Sequence, residues 1–224
     1  TNCALFVNLD PSMGVAGGGI CLIDLNTHGV SRGKPWDKMA HRDLPQGELF
    51  FDNVVCPGDQ MIIDQQSYEA ITEFNLLLCN MATSTNYTSA AQASYDCALQ
   101  YSTQRIQGGK RLCDHTAIQA KLFDMFAKVQ ACRATSRSVM IFNSASMQKS
   151  FQYSTAAKVF CTNTALDVVT SGIHIFGAAG LSKGLLIEKI YRDVAAGNFE
   201  DGSNESLAIC AGNKIVREYL NRTE

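Results

Sequence analysis

The 224-residue sequence predicts an α+β protein, with part of an antiparallel β domain over residues 1–62 and an up-and-down four-helix bundle over residues 63–224. Two patterns support this prediction. The first sixty positions hold compact apolar runs separated by turn residues, which is typical of strands. From about residue 65, apolar residues instead recur with the helical period. Because only short connections separate the helical stretches, we expect consecutive helices to pack side by side.

Three strands are predicted in the first segment, over residues 4–9, 20–23 and 48–51. Asp10-Pro11 gives the turn that ends the first strand, and residues 54–58 end the segment. Three strands alone would leave their edges unpaired and one face of the sheet bare. We therefore expect the other strands of this sheet to lie upstream of the sequence or on another chain.

Three apolar stripes with helical spacing predict helices of the bundle. They are Ile118, Leu122, Met125, Val129 and Cys132; Ala156, Val159, Phe160, Leu166 and Val169; and Leu207, Ala211, Ile215 and Tyr219. A further helix is expected between residues 70 and 102, where many small residues would allow another helix to approach closely. Gly108-Gly109 is expected to end that helix as a C-cap.

Charge and composition exclude several classes of protein. Nineteen basic residues against 21 acidic ones give a net charge of −2, so a nucleic-acid partner is not expected. We see no apolar run near the ~20 residues that span a bilayer, and we expect no membrane contact. The nine cysteines form no C-x-x-C pair, which argues against a metal site and for reduced thiols in the cytoplasm, or in the mitochondrial matrix of a eukaryote.

Several spaced motifs resemble the acyl-CoA dehydrogenase family. Residues 101–110 read YSTQRIQGGK, where the family has approximately Y-x-x-x-R-x-x-F-G-K, and DHTAIQ follows at 114–119. IHIFGAAG at 173–180 is similar to Q-I-F-G-G-x-G, and EKIYRD at 188–193 to E-K-x-x-R-D. FEDGS at 199–203 falls where the family has I-Y-E-G-T. The resemblance covers nearly the whole chain.

The resemblance implies a flavoprotein that uses flavin adenine dinucleotide (FAD) to remove two hydrogens from an acyl-CoA. Family members are longer, so the sequence looks like a C-terminal fragment or one subunit of a split enzyme, and we expect the fragment alone to be inactive. The implied partners are an acyl-CoA or a related small molecule, an electron acceptor such as an electron-transfer flavoprotein, and further copies of the chain in a dimer or tetramer.

The resemblance also implies a catalytic base, Asp201, which would take the α-proton while the flavin takes the β-hydrogen as hydride. Aspartate stands here in place of the usual glutamate, and its side chain is shorter by about 1.5 Å. Glu200 would be the base if the register slipped by one residue, and a surface loop without catalytic function is the third reading. Gly202 would let the backbone turn beside the substrate, and Asn75 would contact the substrate.

Five residues match positions that hold FAD in the family: Arg105, Gln107, His174, Gly177 and Ser203. A guanidinium such as that of Arg105 suits the pyrophosphate, which it would reach across a subunit interface. Two alternatives stay open, because Arg105 also fits an exposed helix end and His174 also fits a core position.

Two other functions remain compatible with the sequence. One is a flavin-dependent oxidase of a substrate other than a CoA ester, similar to nitroalkane oxidases, since aspartate occurs at the place of Asp201 there too. The other is a helical oligomerisation module without catalytic activity.

Overall fold

The structure, a computed structural model, describes residues 1–145 and 149–223. By contact density the chain forms two compact units, one of residues 1–38 and 42–75, the other of residues 39–41 and 76–224. Each unit is described here by itself. The domains expected from the sequence, 1–62 and 63–224, stay a prediction, since compactness alone does not define an independently folding domain.

The strands of the first unit are antiparallel, as predicted. β1 (Asn2–Asn8) pairs with β2 (Gly18–Asp24) along its whole length, and β2 pairs on its other side with β5 (Met61–Ile63). β3 (Val30–Arg32) and β4 (Leu49–Phe51) form a separate two-stranded sheet. β1, β2 and β4 confirm the three predicted strands. β3 and β5 were missed because a three-residue strand is too short to show a period of two.

Five α-helices follow within the residues that the structure describes. α1 is Gln65–Gln104, α2 is Thr116–Ala145, α3 is Phe151–Phe176, α4 is Leu186–Val194 and α5 is Asn204–Thr223. Four of them are the long helices that the sequence predicts, and α4 is a short addition. The α+β fold class with a helical bundle is therefore confirmed.

The predicted C-cap at Gly108-Gly109 is wrong, because α1 already ends at Gln104. Two short strands follow, β6 (Ile106–Gln107) and β7 (Lys110–Arg111), which pair as a hairpin. Gly108 and Gly109 form its two-residue turn, with φ of +65° and +81°. Two consecutive left-handed residues are what such a turn requires, and glycine meets this requirement without strain.

The main core of the second unit lies between α1, α2, α3 and α4. The first predicted stripe supplies α2's share of the buried face: Leu122, Met125, Val129 and Cys132 are buried, and Ile118 packs partly against the cluster. This stripe is confirmed. Its residues are apolar at every core-facing position, so the sequence pattern alone identified the correct face.

The stripe predicted on α3 is confirmed in its second half and wrong in its first. Val169 is buried and Leu166 packs against the main core, whereas Ala156 is exposed and Phe160 is 43% exposed. In the first half of α3 the buried positions include the smaller Ala157. Small side chains there let neighbouring helices approach closely, so the larger apolar residues indicated the neighbouring face.

The stripe predicted on α5 is half right. Leu207 and Ala211 are buried and form a second, small core cluster with Phe151. Ile215 and Tyr219 are 56% and 67% exposed, although the second half of α5 still contacts α3 through a hydrogen bond from Gln152 to Glu218.

One apolar segment also corrects the expectation that nothing is long enough to span a bilayer. Residues Phe151–Leu181, which include α3, meet the length and hydropathy of a spanning helix, with a mean hydropathy of 1.3. Core helices commonly pass the same test. α3 packs against α2 and α5, and its buried face includes a lysine, Lys158, so in this structure it is a core helix.

Candidate functional site

A loop that joins α4 to α5, residues 195–203, carries the predicted catalytic aspartate and is called the Asp201 loop below. A 3-10 turn opens it, and Asp201 and Gly202 then adopt φ of +52° and +99°. Aspartate tolerates the left-handed region better than most residues, and glycine enters it freely. A Cβ at Gly202 would also lie 3.1 Å from Leu207 side-chain atoms. The two residues thus redirect the chain sharply into α5.

The carboxylate of Asp201 is anchored to α1 while the residue itself is exposed. Its Oδ2 accepts a hydrogen bond of 2.6 Å from the Oγ1 of Thr83, which is buried. Burial, together with the negative charge of Asp201, raises the pKa of the Cys79 thiol one turn earlier on α1. The loop therefore holds a fixed carboxylate over α1 that an approaching molecule can reach.

The neighbouring carboxylate, Glu200, is engaged elsewhere. Its Oε2 accepts from the Tyr87 hydroxyl at 2.7 Å, and its Oε1 lies 2.7 Å from Nδ1 of His41. Burial and this contact with Glu200 raise the pKa of Tyr87. These residues line a cleft of about 360 Å³ together with apolar side chains of α4. Both oxygens of Glu200 have partners, so the geometry favours Asp201 as the available base.

A buried lysine lies beneath the Asp201 loop, and sequence reasoning missed it. Lys158 of α3 is fully buried, and its Nζ donates to the Gly202 carbonyl oxygen and to the Asn204 Oδ1, at 2.8 Å each. A lysine on an apolar helix suggests a solvated position, since lysines are almost never fully buried without partners. The partners lie more than forty residues away in sequence, so no local pattern signals them.

Arg105 and Gln107 follow the C-terminal end of α1, whereas Asp201 contacts the middle of this helix at Thr83. Thr83 and Gln104 are 21 residues apart on this helix, which corresponds to about 32 Å at 1.5 Å per residue. Arg105 is exposed, and it makes no ion pair within residues 1–145 and 149–223. The backbone oxygen of Gln107 lies 3.0 Å from Nε2 of His115, which steadies the hairpin.

The end of α3 lies beside this hairpin. The Tyr101 ring, in the last turn of α1, stacks on Phe176 with centroids 4.1 Å apart. Gly177 follows with φ of +61°, and a Cβ there would meet open space. His174 is exposed, so the interpretation of His174 as a core residue is wrong. The structure thus brings His174 and Gly177 towards the end of α1 that carries Arg105.

The predicted FAD residues fit a dinucleotide in part. An exposed guanidinium beside an open glycine turn suits a diphosphate, because both offer hydrogen-bond donors without blocking approach. Ser203 lies at the other end with Asp201, and its Oγ accepts from the backbone N–H of Ser206 and so caps α5. The predicted residues therefore form two groups roughly 30 Å apart, and one chain does not gather them into a single site.

Asn75, the predicted substrate contact, is exposed and belongs to the first compact unit, whereas Asp201 belongs to the second. Its substrate role stays a prediction. The same stretch holds a different polar residue in the core: Asn80 is fully buried and donates from Nδ2 to Thr155 Oγ1 at 3.4 Å. Its Oδ1 has no hydrogen-bond partner among the described residues.

Comparison with known proteins agrees with the motifs. Residues 75–215 match the family model described as acyl-CoA dehydrogenase, C-terminal domain. The chain is 25% identical over 207 residues to cyclohex-1-ene-1-carbonyl-CoA dehydrogenase of Syntrophus aciditrophicus, covering 92% of this chain and 50% of that protein. It is 27% identical over 220 residues to 3-(aryl)acrylate reductase of Clostridium sporogenes, covering 96% and 57%.

Among solved structures, butyryl-CoA dehydrogenase from Megasphaera elsdenii superposes with a TM-score of 0.86 at 26% identity, over 96% of this chain and 56% of that one. The chain thus spans about half the length of the relatives that it matches. The family model covers well over half of the 224 residues, and the matched span contains the motifs at 101–119 and 173–203. The chain belongs to the acyl-CoA dehydrogenase family, of which it contains the C-terminal domain.

Proposed function

We propose that the protein to which this chain belongs is an FAD-dependent acyl-CoA dehydrogenase-like oxidoreductase, with Asp201 as its proton-abstracting base. One observation carries the proposal. Asp201 stands at the family's carboxylate position on a loop of unusual backbone conformation, with its carboxylate exposed yet fixed by Thr83. Its neighbour Glu200 is occupied by Tyr87 and His41, which favours the motif register that assigns the base to Asp201.

The role of Asp201 follows from its chemistry. A carboxylate oxygen forms the new O–H bond to the α-proton, and the electron pair of the broken Cα–H bond becomes the second bond between Cα and Cβ. FAD, when bound, would supply N5 as the acceptor of the β-hydrogen, which leaves as hydride with the electron pair of its C–H bond. The Thr83 hydroxyl donates to the carboxylate and keeps it oriented.

FAD binding is proposed to use two copies of the chain. Arg105, Gln107, His174 and Gly177 would hold the phosphate-containing part, and Ser203 would lie near the flavin of another copy. The separation of roughly 30 Å between these groups along α1 supports an arrangement across subunits. Gly202 lies beside Asp201 and would shape the substrate side of the loop.

A homo-oligomer, a dimer or tetramer, is proposed from the outer faces of the bundle. Large apolar side chains are exposed on α2, α3 and α5, beyond what single scattered residues would explain. They include Phe123 at 70%, Ile141 at 69%, Tyr153 at 53%, Ile209 at 64% and Tyr219 at 67%. Burying these faces against other copies would remove them from water and bring the two FAD-binding groups together.

The substrate and the electron acceptor are proposed only by chemical class. The names of the relatives include both a CoA-ester dehydrogenase and an acrylate reductase, so family membership leaves open which direction the reaction takes in the cell. An acyl-CoA and an electron-transfer flavoprotein are the partners that the resemblance supports. The nine cysteines are unbonded, which supports a reducing compartment such as the cytoplasm.

Asp201→Asn in the full-length protein tests the proposal. The amide keeps the size of the side chain but does not accept the proton, so bleaching of the flavin absorbance by acyl-CoA should slow by about 10²–10⁴-fold while FAD stays bound. Glu200→Gln is the matched control, and it should change the rate by less than about tenfold. Normal bleaching by Asp201→Asn contradicts the assignment of the base.

A panel of candidate substrates distinguishes the dehydrogenase from the oxidase and from the oligomerisation module. Bleaching by nitroethane but by no thioester would establish the oxidase instead, and a full-length protein that binds no FAD would indicate an oligomerisation module. The expectation that these 224 residues alone are inactive stays a prediction, and the same assay on the isolated chain tests it.

A further inference from the structure

Lys158 stands out among the buried side chains. It is the largest fully buried side chain in the part of the chain that the structure describes. An ammonium group loses its hydration when it is buried, and burial accordingly lowers the pKa of Lys158. Such a group persists in a core only where it is paired or hydrogen-bonded. Within the described residues, Lys158 donates hydrogen bonds to the Gly202 carbonyl and the Asn204 amide oxygen, which both belong to the turn that carries Asp201.

The second partner links the two ends of this turn. Asn204 is itself buried, and its Nδ2 donates to Asn198 Oδ1 at the start of the turn and to Thr162 Oγ1 of α3, at 3.0 Å each. Lys158 and Asn204 thus fasten residues 198–204 to α3, and Asp201 lies in the middle of the fastened segment. From the opposite side, Thr83 of α1 holds only the carboxylate.

Nearby carboxylates favour the charged form of Lys158. Three carboxylates of the loop and of α5 interact electrostatically with the ammonium, those of Glu200, Asp201 and Glu205, and each favours its charged form. On the other side of these carboxylates, His41 faces Glu200, and the Cys79 thiol faces Asp201. Lys158 is thus a buried basic residue close to the exposed Asp201.

We propose that Lys158 is a positioning residue for the reaction: it fixes the left-handed turn at Asp201-Gly202 and so holds the Asp201 carboxylate in place. This inference rests on the proposed function for its catalytic consequence. Its structural part, the fixing of the turn, stands on the contacts alone. Lys158 itself takes no proton from substrate, because it is buried and both recorded hydrogen bonds are directed into the loop.

Substitution in the full-length protein tests this role. Lys158→Met removes the hydrogen bonds and the charge, whereas Lys158→Gln removes the charge but keeps a hydrogen-bond donor on a side chain one atom shorter. We expect Lys158→Met to retain FAD, to reduce the flavin about 100-fold more slowly, as displacement of a catalytic group by 1 Å can do, and to change KM by only a few-fold. The matched control is Lys183→Met, at an exposed position, which should leave the rate unchanged.

The split between kcat and KM separates a positioning role from a merely structural one. In Lys158→Met the loss should fall on kcat, whereas KM changes little, because a displaced carboxylate slows the reaction without weakening substrate binding. The loss of rate should be larger in Lys158→Met than in Lys158→Gln, which keeps a hydrogen-bond donor. A merely structural role would lower stability without this split.

Amide hydrogen exchange provides a readout that needs no substrate. In Lys158→Met, exchange in residues 199–203 should be faster by at least about tenfold, while residues 118–132 of α2 keep their protection. Unchanged exchange in the loop overturns the proposal, even where the rate falls. If the wild-type protein reduces no flavin with any acyl-CoA, the proposed function fails, and exchange still decides whether Lys158 fixes the turn. If Lys158→Met does not fold, Lys158→Gln is measured in both assays, and unchanged values there overturn the proposal.

Discussion

Gly197 is the residue at which a single added methyl group should disturb the Asp201 loop most directly. It is buried in the 3-10 turn that opens the loop. A Cβ at this position would lie 2.4 Å from Cε1 of Tyr87 and 2.7 Å from its Cζ. The Tyr87 ring is 5% exposed and its hydroxyl is bonded to Glu200, so the ring has little freedom to move aside.

The expected cost of Gly197→Ala can be worked out from these distances. The ring must retreat by about 1 Å to reach an ordinary contact distance, and overpacking of this kind costs about 1–3 kcal/mol. The retreat also weakens the Tyr87–Glu200 hydrogen bond, whose charged acceptor makes it worth about 1.5–3 kcal/mol when intact. The smaller entropy of the unfolded alanine chain returns about 0.4–1 kcal/mol. The net expectation is a loss of about 2 kcal/mol.

Urea unfolding followed by circular dichroism measures this loss, and a fall in Tm of about 4–8 °C should accompany it. Gly212→Ala is the matched control, because Gly212 lies within α5 and a Cβ there meets nothing within 4 Å. The control should gain up to about 1 kcal/mol through helix propensity. Equal effects of the two substitutions would refute the close packing of Gly197 against the Tyr87 ring.

Two further predictions concern the bundle. Met125 is 0% exposed, so Met125→Ala should lower the free energy of unfolding by about 2–5 kcal/mol. Phe123 is 70% exposed, so Phe123→Ala should change the free energy of unfolding of the isolated chain by about 0.5 kcal/mol or less. Urea titration of both variants measures the difference. Burial alone would raise the pKa of Asp193, but hydrogen bonds from Lys189 and the His41 backbone N–H outweigh it and hold that pKa below its ordinary 3.8. The Asp193 carboxylate therefore stabilises the fold above about pH 4 and loses this effect as the pH falls through the lowered pKa. Asp193→Asn should reduce the loss of stability between about pH 6 and pH 3, and an unchanged loss would contradict this assignment.

The sequence predicted the helices whose buried side is marked by a regular spacing of apolar residues. The period of the α2 stripe identified the helix and its buried side together, although Ser136 and Asn143 are also buried on this helix. The first half of α3 shows the limit of this reasoning. Small and polar residues such as Ala157 are buried there, and the larger apolar residue Phe160 is half-exposed. Hydrophobicity alone ranks those two faces in the wrong order, because the choice between them depends on the neighbouring helices.

In the candidate site too, residues within one short motif were predicted from the sequence, and contacts between distant segments were not. Asp201 and Arg105 were found from short motifs, since each motif keeps its residues within a few positions of one another. Thr83 and Lys158, which hold the Asp201 loop from two helices, lie 118 positions before Asp201 and 44 positions before Gly202. No spacing rule connects residues across such distances. The supporting contacts of a site on a loop are therefore what sequence reasoning misses first.

The adjacent carboxylates at 200 and 201 show how the backbone separates two chemically similar groups. In the sequence they differ only by one position and one methylene, and the motif register alone left the choice between them open. In the structure the left-handed φ of +52° at Asp201 changes the direction of the chain between them. Glu200 turns to Tyr87 and His41, while Asp201 turns to Thr83 and remains exposed. Because Gly202 continues this conformation and Lys158 holds its carbonyl, the separation of the two acids depends on a buried lysine that fixes the residue next to Asp201.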